Sequence, residues 1–121
     1  MSDPRWDLAS SVEALRRFVA ERDWARFHDP KNLAMLAASE AGELVGELRW
    51  VENGEADAFA RKEPARGRIA AELADVQIAV LLLADRMGVD LAQAVRDKIA
   101  VNARNYPPEV VKGSAERPER E

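Results

Sequence analysis

Two acidic pairs at helical spacing, Glu40-x-x-Glu43 in SEAGEL and Glu72-x-x-Asp75 in AELAD, are the residues of this chain best arranged for chemistry. Residues three and four apart share a helix face. At about 100° per residue, Glu40 falls within the apolar stripe of Leu33, Leu36, Leu44, Leu48 and Val51, and Glu72 falls among Ile69, Val76, Ala79 and Leu83. Both pairs are therefore expected to point inward. An unpaired ionised carboxylate in an apolar core costs several kcal/mol or takes up a proton, so converging carboxylates need cations. A hard metal ion is the simplest. Taken alone, E-x-x-E also suits a solvated helix face. Two pairs, each centred on an apolar stripe, weigh against that reading. Glu47 extends the first face by one turn, as a further ligand or as a rim charge.

The ligand types narrow the metal. There is no cysteine, and the single histidine, His28, lies outside both acidic motifs. All-oxygen ligands select Mg²⁺ or Mn²⁺ over zinc, and di-iron bundles use Glu-x-x-His pairs that are missing here. Mg²⁺ in such sites keeps waters and binds substrate phosphates, which points to phosphoryl chemistry on a nucleotide-like molecule. No glycine-rich phosphate loop is present, which excludes a P-loop enzyme.

Phosphate contacts are available further along, where Lys98, Asn102 and Asn105 share a helix face with Tyr106 at its edge and Arg104 nearby. A solvated terminal helix would look the same. Trp24, Phe27, His28 and Trp50 offer surfaces on which a base can stack, and equally suit a core or an interface.

The elements that must position these residues are helical. Leu8, Val12, Leu15 and Val19 mark a first helix over about residues 7–22, with Ser10-x-x-Glu13 as a capping box. Asp29-Pro30 opens a second over about 30–52, stopped by Asn53-Gly54; residues 55–63 read as a charged loop. Pro64 opens a third that runs to Met87 and stops at Gly88. Its segment VQIAVLLLA is apolar nearly all round, the pattern of a helix buried on several sides, in part by another subunit. Asp90-x-x-Gln93 caps a fourth, ended by Tyr106-Pro107-Pro108. The expected fold is all-α, an antiparallel four-helix bundle. The 121 residues suit one domain, assigned to 1–111, followed by a charged, disordered tail at 112–121. A net charge of −4 gives no footprint for nucleic-acid polymers, and no apolar run is long enough to span a membrane. A soluble, cytoplasmic protein is expected.

The combination of E40-A-G-E43, E72-L-A-D75, K98-x-x-x-N102 and Y106-P107 resembles the MazG-like nucleoside triphosphate pyrophosphohydrolases over about residues 14–112. Within it, RDWARFHDPKNL at 22–33, Trp50 and VDLAQAV at 89–95 are most similar to the dCTP pyrophosphatase branch. One departure is Asn105, where relatives often carry a basic residue before Tyr-Pro. The resemblance implies that Glu40, Glu43, Glu72 and Asp75 bind Mg²⁺, with Glu40 or Glu43 aiding proton removal. It also implies that Trp24, His28 and Trp50 line a base pocket and that Lys98, Asn102 and Tyr106 contact sugar or phosphate. The implied activity is Mg²⁺-dependent hydrolysis of dCTP or modified (deoxy)cytidine triphosphates to monophosphate and pyrophosphate, in nucleotide-pool house-cleaning, by a homodimer or homotetramer. The alternatives are a related enzyme acting on dUTP or phosphoribosyl-ATP, and a non-catalytic metal-binding helical module.

Overall fold

The computed structural model describes residues 6–116, and among them every regular element is helical. The helices are α1 Leu8–Glu21, α2 Pro30–Leu48, α3 Ala56–Arg61, α4 Ala65–Met87, α5 Leu91–Asn105 and α6 Pro108–Val111, with single 3₁₀ turns at Ala25–Phe27 and Asn53–Glu55. The all-α expectation therefore holds. Two compact units emerge, 1–88 and 89–121. No described helix is long and apolar enough to cross a membrane.

In the first unit α4 is the element on which the others pack, α2 most extensively, then α3 and α1. Glu47 near the end of α2 meets Arg68 near the start of α4, while Glu40 and Glu43 meet Glu72 and Asp75. Residue numbers fall along one helix as they rise along the other, so the pair is antiparallel. Leu33 of α2 and Ile69, Ala79, Leu81 and Ala84 of α4 are buried in this unit.

Helix ends follow local chemistry. Asp29 accepts a hydrogen bond from Asn32 N at 2.8 Å, with Pro30 in the first turn. Gly88 ends α4 in the left-handed region at φ 69°, where a side chain would be strained. Asp7, not Ser10, caps α1, its carboxylate accepting from Ser10 N at 2.8 Å, so the expected capping box is replaced by a cap one turn earlier. Pro64 has no capping group, and Glu63 Oε2 accepts from Gly67 N at 3.1 Å instead. α2 stops at Leu48, short of the expected 52. Residues 55–63, read as loop, hold α3, which packs on α4.

Within the expected buried segment of α4, Ala79, Leu81 and Ala84 are buried while Ile78 is exposed, and Leu73 one turn earlier is exposed as well. The second unit consists of α5, capped by Asp90 accepting from Gln93 N at 3.1 Å, and the one-turn α6. Lys112 to Glu116 follow α6 as a turn and a non-helical stretch, and 117–121 of the expected disordered tail lie outside the described residues.

Candidate active site

Glu40 and Glu43 on α2 and Glu72 and Asp75 on α4 converge, each offering one carboxylate oxygen, all within 4.8 Å of one another. Three-residue spacing puts each pair on one face, and antiparallel packing turns the two faces together. The members of each pair differ. Glu40 and Glu72 are half-buried, whereas Glu43 and Asp75 are exposed. Oε2 of Glu40 and Oε2 of Glu72 are sealed from solvent with no hydrogen-bond partner. Burial raises the pKa of both, and the neighbouring Glu43 raises it further, by its charge and by accepting a hydrogen bond from the protonated form.

Buried polar atoms normally have partners. Two orphaned carboxylate oxygens in an all-oxygen cluster are what a hard divalent cation would satisfy, so the residues fit Mg²⁺ or Mn²⁺. Glu47 joins the rim, its Oε2 3.0 Å from Arg68 Nε, and its charge also raises the Glu72 pKa. Of its two sequence roles, the ion pair matches that of a rim charge.

Beside the cluster, α1, α2, α4 and the segment before α2 enclose a cavity of about 550 Å³. Trp24 and His28 line it with Leu15, Phe18, Leu36 and Ile78. Leu36 lies one turn before Glu40, about 6 Å along the axis at 1.5 Å per residue. The walls are braced: Phe18 and Trp24 stack edge to face at 5.8 Å, and the Arg22 guanidinium covers the Phe18 ring at 3.6 Å. The volume and apolar walls suit a small organic ligand.

Homology bears on what occupies such a site. A protein-family model described as MazG-like matches residues 40–117. The chain belongs to the MazG-like family. It is 38% identical over 115 residues to mouse dCTP pyrophosphatase 1, covering 92% of this chain and 68% of that protein. The human dCTP pyrophosphatase 1 is 37% identical over 111 residues, covering 88% and 65%. The chain thus spans about two thirds of the length of these relatives. A pyrophosphatase from Archaeoglobus fulgidus of known crystal structure superposes with a TM-score of 0.77 at 31% identity, covering 88% of this chain and 98% of that one. With such relatives, this MazG-like chain is a nucleoside triphosphate pyrophosphohydrolase.

The remaining expected residues are placed as follows. Trp50 does not line the cavity; it is 84% exposed just beyond α2, with the Arg49 guanidinium 5.1 Å from its ring. Lys98, Asn102 and Tyr106 recur every four residues along α5 to its C-cap, with Lys98 and Asn102 exposed. They belong to the second unit. Sequence reasoning missed the part of α1 in the cavity and the amide of Gln77 in its wall. The signal for Gln77 was its lone polarity within VQIAVLLLA.

Proposed function

We propose that residues 1–111 form one Mg²⁺-dependent domain that hydrolyses dCTP or a modified (deoxy)cytidine triphosphate to the monophosphate and pyrophosphate. What supports the metal is the convergence of Glu40, Glu43, Glu72 and Asp75 around two orphaned carboxylate oxygens. What supports cytidine is the name of the mammalian relatives. Those carboxylates would hold Mg²⁺, or Mn²⁺ in its place, and the bound ion supplies polarisation of phosphate oxygens and a lowered pKa for the attacking water.

Glu40 or Glu43 would help to accept the proton of the attacking water at a carboxylate oxygen. Trp24 and His28 receive the base in the cavity, and Trp50 supplies a further stacking face. Lys98, Asn102 and Tyr106 bind sugar or phosphate. The physiological setting is cytoplasmic house-cleaning of the nucleotide pool by a homodimer or homotetramer.

A panel of nucleoside triphosphates with Mg²⁺, read out as pyrophosphate against orthophosphate, tests this. dCTP should turn over fastest, yield pyrophosphate and fail in excess chelator. Preference for dUTP or phosphoribosyl-ATP would replace the substrate, and primary release of orthophosphate would reject the cleavage position. Absence of turnover on every substrate would favour a non-catalytic module.

A further inference from the structure

Besides the indoles of Trp6 and Trp24, the polar side chains lining the cavity beside the carboxylates are Ser11, His28 and Gln77. Ser11 Oγ already accepts a hydrogen bond from Trp6 Nε1 at 2.8 Å. The exposed Gln77 side chain makes no hydrogen bond to any described residue, and it sits in a run of α4 that is otherwise apolar. An amide facing an apolar cavity keeps its hydrogen-bonding capacity for whatever enters.

Its position on α4 says which part of a ligand it meets. At about 100° per residue, Ala74 and Ile78 line the near wall next to Asp75, while Gln77 lies about 160° round the helix from Asp75. It therefore closes the side of the cavity away from the carboxylates. In a nucleotide whose phosphates lie at the carboxylates, the hydrogen-bonding edge of the base is the part farthest from them.

We propose that Gln77 reads the hydrogen-bonding edge of the nucleotide base, as a specificity-determining residue that favours nucleotides over other phosphate esters. This rests on the pyrophosphohydrolase reading above. A carboxamide presents a donor and an acceptor side by side, which matches N4–H and N3 of cytosine. Turned over, it matches O4 and N3–H of uracil equally well. The two ring nitrogens of His28 point apart and cannot pair with two adjacent groups in this way. Gln77 thus supplies affinity for a base edge without choosing between these pyrimidines.

The test is Gln77→Leu, which keeps the bulk and removes the amide. Loss of one such contact should lower kcat/KM for dCTP and for dUTP by about tenfold each. Their ratio should stay the same, and turnover of base-free 2-deoxyribose 5-triphosphate should be untouched. Binding of dCMP with Mg²⁺ present, measured by calorimetry, should weaken by a similar factor. An equal loss on the base-free triphosphate, or an unchanged dCMP dissociation constant, overturns the proposal. Wild-type protein that binds dCMP through Gln77 yet splits no triphosphate would fail the parent reading and leave this one standing.

Discussion

Arg68 Nε lies 3.0 Å from Glu47 Oε2, one helical turn before Glu72 on α4 and one turn after Glu43 on α2. The pair closes one end of the carboxylate row and compensates a fifth negative charge. Arg68→Ala frees Glu47, adding an uncompensated carboxylate beside the cluster. Mn²⁺ should then bind more tightly, whereas Glu43→Gln should weaken it by an order of magnitude or more. Titration of free Mn²⁺ by electron paramagnetic resonance measures both. Looser binding in Arg68→Ala would show that the guanidinium serves the site in some other way.

The cluster also dictates how metal-free stability varies with pH. Glu40 and Glu72 are pushed above their ordinary 4.5 in the folded chain. Above 4.5 the fold therefore binds more protons than the unfolded chain, and stability falls as pH rises through the raised values. Asp85 runs the other way: Arg16 holds its carboxyl below 3.8, so its contribution is present above 3.8 and lost as pH falls through the lowered value. In chelator, melting should be higher near about pH 5 than near neutrality. Mg²⁺ should level or reverse that slope, because ligation requires the deprotonated carboxylates. A chelated sample that melts higher at neutrality would contradict the burial of the two carboxylates.

Arg16 fastens α1 to α4 through a forked contact with Asp85, Nε lying 3.1 Å from Oδ2. Arg86 Nη1 reaches Ala25 O at 3.3 Å beside it. The pair is partly exposed, so Arg16→Ala should lower Tm by no more than a few degrees. Because α1 walls the cavity, KM for the nucleotide should rise while Mn²⁺ affinity holds. Unchanged KM would mean that α1 keeps its place without this contact.

The aromatic residues separate by location. Trp24 stands in the cavity wall, so Trp24→Ala should raise KM about tenfold or more, given base stacking of roughly 1 to 3 kcal/mol. His28→Ala should mainly flatten the preference between dCTP and its competitors. Trp50→Ala should weaken all nucleotides alike if its exposed ring is a stacking platform. Steady-state kinetics with dCTP, dUTP and dATP resolve the three, and a variant with KM and ranking unchanged removes its residue from the pocket.

The carboxylate cluster could be read from sequence because helix periodicity is local: Glu40 and Glu72 announce themselves by falling on apolar stripes. The stops at Gly88 and Tyr106 were equally local. α3 was hidden because Ala56, Phe59 and Ala60 give too short an apolar pattern, and it is packing on α4 that holds the turn. The cavity was hidden for a related reason, since its walls come from three helices and no single stretch of chain records them. The sequence accordingly marked α1 as a helix and assigned no site residue to it. Asp7 and Ser10 are both good caps by type, and spacing alone did not say which would be used.

Leu33 is the one large side chain that the described fold seals almost completely, at 1% exposure, while Met35, Val45 and Leu73 stand open on the same two helices. A chain that withdraws so little apolar surface by itself would gain stability from anything that covered α2 and α4. If further copies do so, folding becomes a reaction whose equilibrium includes protein concentration. Melting temperature should then climb with concentration, and dilution alone would act on this fold as a denaturant.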